Sequence, residues 1–286
     1  MIKIFLVYHK PFEIFKTDVL EPIQSGCAFA NFDLGVLKDN SGDNISPKNK
    51  NYGELTCWYW VWKNYLKSNA KLDYVGFGHY RRVLAFPNLK QKRDVKKIYS
   101  KEFKELLKNY NQETLSNYLD NFDIVLFEKT YGKISVDEDY KSRHPYKDLE
   151  LMKALVISKY PQHRGIVEEF FSGQEVYFRL NFVMRRELFI DFMEWIFPLL
   201  FELEIQSDWS QYDDYFSIRT PAFLAEIFFN VWLKIKLAEN RNLKIKENKL
   251  YFILNNLPLK FRILRKLLFL LPKIRRDKIR ADIERM

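Results

Sequence analysis

The chain has few of the residues that build small or extracellular scaffolds. Its two cysteines, Cys27 and Cys57, cannot make a disulfide framework and are not spaced as a metal knuckle. Its four histidines form no HExxH or paired metal spacing, so a zinc enzyme is not expected. Nine glycines and ten prolines, spread without a period, exclude collagen-like, low-complexity and solenoid architectures. No window reaches ~18 uninterrupted apolar residues. The opening MIKIFLVYHK is too short in its apolar part for a secretory leader and lacks a small-residue cleavage site. There is no GxSxG, no kinase Gly-rich loop or HRD, and no GxxxxGK[ST]. These absences predict a reducing, cytoplasmic setting and a protein that is soluble or peripheral to a membrane.

The composition, 47% hydrophobic and 17% aromatic over 286 residues, is enough for one large domain or two small ones. The formal charge of +10 is unevenly placed: residues 234–286 hold 16 Lys and Arg against five acids, and residues 1–233 hold 31 against 32. A neutral body with a basic tail does not read as a nucleic-acid-binding fold. Within residues 258–286, Leu264, Leu267, Leu268 and Leu271 recur at helical spacing among Arg and Lys. That pattern suits an amphipathic helix on an anionic membrane surface, or a solvated one that packs its Leu face on the body.

Along the body, IKIFLVY (2–8) reads as a buried strand, 38–51 as a loop, 52–67 as a helix despite alternating Trp58, Trp60 and Trp62, and 73–77 as a strand. Residues 94–120 read as helix, 122–127 as strand, 148–160 and 164–172 as helices parted by Pro161, and 178–186 as strand. Helices are expected over 187–204 and 221–237, with a loop over 208–219 between them. Alternating strands and helices imply a mostly parallel sheet covered on both faces, an α/β domain over 1–235 followed by a basic helical region over 236–286.

Ligands of open α/β sheets sit beyond the carboxyl ends of strands. Three sets qualify: His9-Lys10, His79-Tyr80-Arg81-Arg82, and Arg185-Arg186. The second is the most informative, because adjacent guanidiniums at a strand end suit a diphosphate, and Gly76 and Gly78 allow close approach. GDNIS (42–46) with Glu54 offers oxygens for a base or ribose, although Asp43 and Ser46 could equally be caps. His144 and Asp148 lie four apart across Pro145. Asp213-Asp214 precedes an aromatic helix, and paired carboxylates can raise one pKa as a general base needs; a helix cap accounts for them as well.

Taken in order, GDNIS, NYGELTCWYWVWKN, DYVGFGHYRR, the spaced Tyr140, His144 and Asp148, NFVMRRELFIDFMEWIFPLLFELE and YDDYFSIRTPAFLAEIFFNVWL resemble the family called domain of unknown function 4422, bacterial capsule and O-antigen glycosyltransferases. The resemblance covers residues 1–235 and implies a GT-A-like fold that transfers galactofuranose from UDP-galactofuranose to a lipid-linked glycan, with UDP-galactopyranose or an N-acetylated sugar as alternative donors. It implies donor binding by His9, Asp43, Asn44, Glu54, His79, Tyr80, Arg81 and Arg82, with His79 to Arg82 standing where GT-A enzymes carry a metal-binding Asp-x-Asp. No metal or other cofactor is then expected. DDYFSIR resembles the Glu-Asp-x-x-x-x-Arg pattern of inverting enzymes, which implies Asp213 or Asp214 as base and Arg219 as its partner. His144, Asp148 and Asn181 are implied on the acceptor side. Ser217, Ala222 and Ile227 depart from the family's Gln, Gly and Arg. The implied location is the inner face of the cytoplasmic membrane, and a homo-oligomer is compatible with it.

Overall fold

The computed structural model describes residues 1–87, 89–90, 95–209 and 212–256. Its strands are β1 (Ile2–Tyr8), β2 (Leu20–Gln24), β3 (Leu37–Lys38), β4 (Tyr74–His79), β5 (Arg82–Leu84), β6 (Val95–Tyr99), β7 (Ile124–Phe127), β8 (Thr130–Tyr131), β9 (Glu175–Val176), β10 (Phe182–Arg185), β11 (Ile245–Asn248) and β12 (Leu250–Leu254). The main sheet runs β11-β7-β10-β4-β1-β2-β3, with β5, β6 and β12 attached beside β4, and β8 and β9 form a separate ribbon. Pairings along the main path are parallel except at β10, which is antiparallel to both β4 and β7.

The apolar runs form strands because both faces of the sheet are covered. Phe5 and Val7 point into one core, while Ile4, Leu6 and Tyr8 point into the other. Ile124 and Leu126 alternate in the same way with Val125 and Phe127. Such runs, apolar at every position, are the signature of a sheet buried on both sides. The first core lies under helices Leu55–Trp60, Tyr146–Lys159, Arg186–Gln206 and Thr220–Glu239. The second lies under Ser100–Leu106 and Gln112–Leu119. At the sheet's centre a Cβ on Gly76 would come 2.8 Å from the Phe182 carbonyl, so only glycine lets β10 pair here.

The Trp-rich segment is helical, continuing through a π-helical turn at Val61–Tyr65 to Ser68. It buries Trp58 and Trp60, and Trp62 stacks on Phe197 at 5.8 Å. Alternation in this segment therefore reflects burial all round the helix rather than a pleat.

Three expectations are corrected. Residues 95–99, expected as helix, are β6, pulled into the sheet by parallel pairing with β12. The strand expected over 178–186 is confined to Phe182–Arg185. The helix ending at Glu239 is followed not by further helix but by β11 and β12, both in the main sheet. The segment 258–286 lies outside the described residues. Among the described residues no helix is long and apolar enough to cross a membrane.

Candidate functional site

After β1 the chain steps outward through β2 and β3, then returns to lay β4 on the other side of β1. The loops leaving β1 and β4 therefore diverge, and a crevice must open at their carboxyl ends. Val7 pairs with His79 there, so His9 and His79 face each other across the opening with ring centroids 5.2 Å apart. A cavity of about 700 Å³ occupies this point.

Among the described residues four arginines line the cavity, Arg81, Arg82, Arg179 and Arg219, against two acids, Glu54 and Glu226. Arg81 lies in the β4–β5 turn and Arg82 opens β5. Arg81 lies over the Tyr80 and Phe252 rings, and its buried Nε has no hydrogen-bond partner among the described residues. Burial lowers the Arg82 pKa, and the charges of Arg179 and Arg81 add to that while Glu54 opposes it. Among the described residues neither Arg81, Arg82 nor Arg179 makes an ion pair. Arg81 and Arg82 are half-buried and Arg179 is exposed, and a half-buried guanidinium with no ion pair is costly unless an anion arrives.

Arg219 ends the turn before helix Thr220–Glu239, and it is admitted by Gly53. Gly53 has φ 55°, and a Cβ there would lie 2.4 Å from Arg219 Nη2. Asn51 Nδ2 donates to the Ile218 carbonyl at 2.8 Å and ties the two turns together. Trp58 forms part of the wall, with a buried indole N–H that has no partner among the described residues. Behind this wall, the fully buried Asp39 accepts from the Gly26 and Cys27 amides, Ser46 Oγ and Thr56 Oγ1, which fixes the loops around the cavity.

Both histidines are neutral. His79 is pushed down to about 2 and His9 to about 4, chiefly by burial; His9 and then the nearby cations add to this at His79, and the cations at His9. The Arg81 amide donates to His79 Nδ1 at 3.2 Å, so the neutral ring carries its proton on Nε2. A depressed histidine pKa means that the unfolded chain takes up a proton below about pH 6.5 that the folded chain refuses. Stability is then full above pH 6.5 and is lost as pH falls toward 2, by up to about 1.4 kcal/mol per pH unit for this one group. His79→Gln is expected to flatten the acid side of the unfolding free energy between pH 6 and 4, as read by urea denaturation. An unchanged slope would show that His79 is not the group that refuses the proton.

The structure brings together His9, Glu54, His79, Arg81, Arg82 and Arg219 from the expected set. The others lie outside the cavity lining. Tyr80 is fully buried, stacked on Tyr8 at 5.2 Å. Asp43 accepts from Tyr59 Oη, and Asn44 bonds the Gly42 carbonyl and the Ser46 amide within its own turn. Asp148 is 1% exposed and accepts from Ser207 and Tyr212. Asn181 donates to the Arg179 carbonyl and holds that turn.

The His144 ring lies against Tyr140 and against Phe223, a residue of the cavity wall, so His144 is one layer behind the cleft. Burial lowers its pKa to about 4, with Arg143 acting in the same sense and Asp214 opposing. Asp213 is exposed, and Asp214 accepts from the Ser217 amide and hydroxyl, as a cap of the short helix Tyr215–Ile218 does. Arg185 pairs with Asp123 at 2.8 Å. Because β10 is antiparallel, its carboxyl end, and with it Arg185-Arg186, lies at the edge of the sheet away from the cavity.

The same reversal puts the start of β10, with Arg179 and Leu180, into the cleft, and Glu226 joins them from the helix opposite. Arg179 is a non-glycine residue at φ 57°. Among the described residues no group of three His, Cys, Asp or Glu is arranged to hold a metal ion.

The sequence model described as domain of unknown function (DUF4422) matches residues 3–238. A solved structure titled as the WbbM bifunctional glycosyltransferase in its apo form is similar, with a TM-score of 0.80 and 30% sequence identity. The match covers 90% of this chain and 47% of that one, so this chain spans about half of that neighbour's length. The mostly parallel sheet flanked by helices is the GT-A-like architecture expected from the sequence. No curated protein sequence matches.

Proposed function

We propose that this chain, which belongs to the DUF4422 family, is a glycosyltransferase that moves a sugar from a UDP donor to a lipid-linked glycan in bacterial polysaccharide synthesis. One observation carries the reading: four arginines, at least three without an ion pair among the described residues, line a cavity at the topological switch point of the sheet. With Glu54 and Glu226 ionised the six groups sum to two positive charges, which matches the two negative charges of a sugar-nucleotide diphosphate.

The bond that breaks joins the sugar C1 to the β-phosphate. Negative charge grows on the departing diphosphate, and preorganised guanidiniums stabilise that charge more than they stabilise the intact donor. Arg81, Arg82, Arg179 and Arg219 would do here what a divalent cation does in metal-dependent enzymes. Neutral His79, with its proton on Nε2, can donate to the same oxygens. Glu54, whose pKa burial raises and Arg82 and Arg219 lower, has the chemistry to accept a ribose hydroxyl. The favoured donor is UDP-galactofuranose, transferred with inversion in a single displacement. Residues 258–286 would hold the cavity beside lipid-linked acceptors at the inner membrane face.

The test is UDP release from a panel of UDP-sugars, with membrane lipid extract as acceptor and with EDTA or Mn²⁺ added. Release from one donor, unchanged in excess EDTA, is expected. Turnover only with Mn²⁺ would place the diphosphate on a metal instead of these arginines. UDP binding without release from any donor would point to a sugar-nucleotide-binding protein.

A further inference from the structure

An inverting transfer needs a base in the cleft, and the acids expected from sequence, Asp213 and Asp214, do not line it. Two other carboxylates do, Glu54 and Glu226. Glu226 projects from helix Thr220–Glu239, and its Oε1 accepts the backbone amides of Arg179 and of Leu180, the latter at 3.2 Å. Those bonds hold the carboxylate by one oxygen. Oε2 accepts no hydrogen bond among the described residues, in a cavity that Arg81 and Arg82 also line.

Resting on the glycosyltransferase reading above, we propose that Glu226 is the catalytic base of the transfer. As the acceptor oxygen forms its bond to C1 of the donor sugar, its proton passes to Oε2 of Glu226. The bond from C1 to the β-phosphate oxygen breaks, and its electron pair leaves with UDP among the arginines. Nothing is oxidised or reduced, and one proton is released per transfer.

The surroundings suit a base that works near neutral pH. Burial and then the charge of Glu54 raise the Glu226 pKa to about 7, against the opposing pull of the Arg179 and Leu180 amides and of Arg82. The charged and titratable groups facing it in the cleft are Glu54 beside helix Leu55–Trp60, Arg81 from the β4–β5 turn, Arg82 at the start of β5, and Arg179 and Arg219; His9 and His79 are neutral. A carboxylate of pKa near 7 is a stronger base than an ordinary one and is still partly ionised at pH 7.

The experiment measures kcat against pH and UDP affinity by calorimetry for wild type, Glu226→Gln, Glu54→Gln and Asp214→Asn. Wild type is expected to lose turnover on the acid side with a midpoint near 7. Glu226→Gln should lower kcat by roughly 10²–10⁴-fold while UDP still binds. Removing the Glu54 charge should move the acid limb to lower pH, and Asp214→Asn should leave the limb where it is. Retention of wild-type kcat in Glu226→Gln, with the limb lost in Asp214→Asn, would overturn the assignment and leave the transferase reading standing. Should Glu226→Gln fail to fold, an acid limb unmoved in Glu54→Gln overturns the assignment. Wild-type protein that binds UDP but transfers from no UDP-sugar overturns the transferase reading and the base with it.

Discussion

Arg81→Ala and Arg82→Ala are each expected to lower transfer from the UDP-sugar by roughly 10²–10³-fold, the size of effect seen when one preorganised donor to a developing negative charge is removed. Arg81 sits in the turn that follows β4 and Arg82 opens β5, where the divergence of β1 and β4 opens the cavity. Their loss should appear more in kcat than in KM, because charge on the diphosphate is greatest as the sugar departs. Lysine should not restore Arg81, since an ammonium can neither lie over the Tyr80 ring as a planar group nor grip two oxygens at once. Stability is expected to go the other way. Burial, only partly offset by Glu54, disfavours the Arg82 charge, so Arg82→Ala should unfold no earlier than wild type and should lose the stabilisation that UDP gives. Paired kinetic and thermal measurements check this, and an unchanged kcat in both variants would remove the arginines from the reaction.

Much of this site was legible in the chain because it hangs on strand ends. His9 follows an apolar run that can only be a buried strand, and His79 to Arg82 follow another, so the switch-point rule led to them without any tertiary information. Glu226 and Arg179 were not legible in the same way. Glu226 is one acid in a long aromatic helix, and its importance comes from what stands opposite it. An isolated carboxylate inside an otherwise apolar helix was the available signal. Arg179 reaches the cleft only because β10 runs antiparallel, and nothing local in FRLNFVMRR sets a strand's direction.

That direction also explains why Arg185-Arg186 was attractive from sequence and lies at the far edge. Where short polar motifs were ambiguous between a site and a cap, Asp214 makes a cap, while Asp43 accepts from the Tyr59 hydroxyl and Asn44 bonds within its own turn. The strands missed were those whose composition disguised them. Pro22 and Glu21 interrupt β2, although Glu21 is held there by Lys3 and Lys16. The lysines of 244–249 made β11 look like part of a basic tail, although pairing with β7 buries Asn248.

Arg179 offers a separation of strain from charge. At φ 57° an alanine carries a steric cost of roughly 1–2 kcal/mol that a glycine does not. Glycine in turn makes the unfolded chain more flexible, at about 0.4–1 kcal/mol. Arg179→Gly is therefore expected to be more stable than Arg179→Ala by about 0.5–1 kcal/mol, the reverse of the usual order of these residues. Both variants lose the guanidinium, so both should bind UDP more weakly by about tenfold, the effect of one charge-assisted hydrogen bond. They should differ in chemistry. The Arg179 amide that bonds Glu226 is aimed by this backbone conformation, which glycine keeps freely and alanine tends to leave. Turnover at saturating donor should consequently fall further in Arg179→Ala than in Arg179→Gly. Equal stabilities would show that the turn relaxes without cost, and equal turnover would show that the amide does not hold the carboxylate in its working position. The strain at Arg179 would then belong to the β10 turn alone, with no part in aligning the acid opposite it.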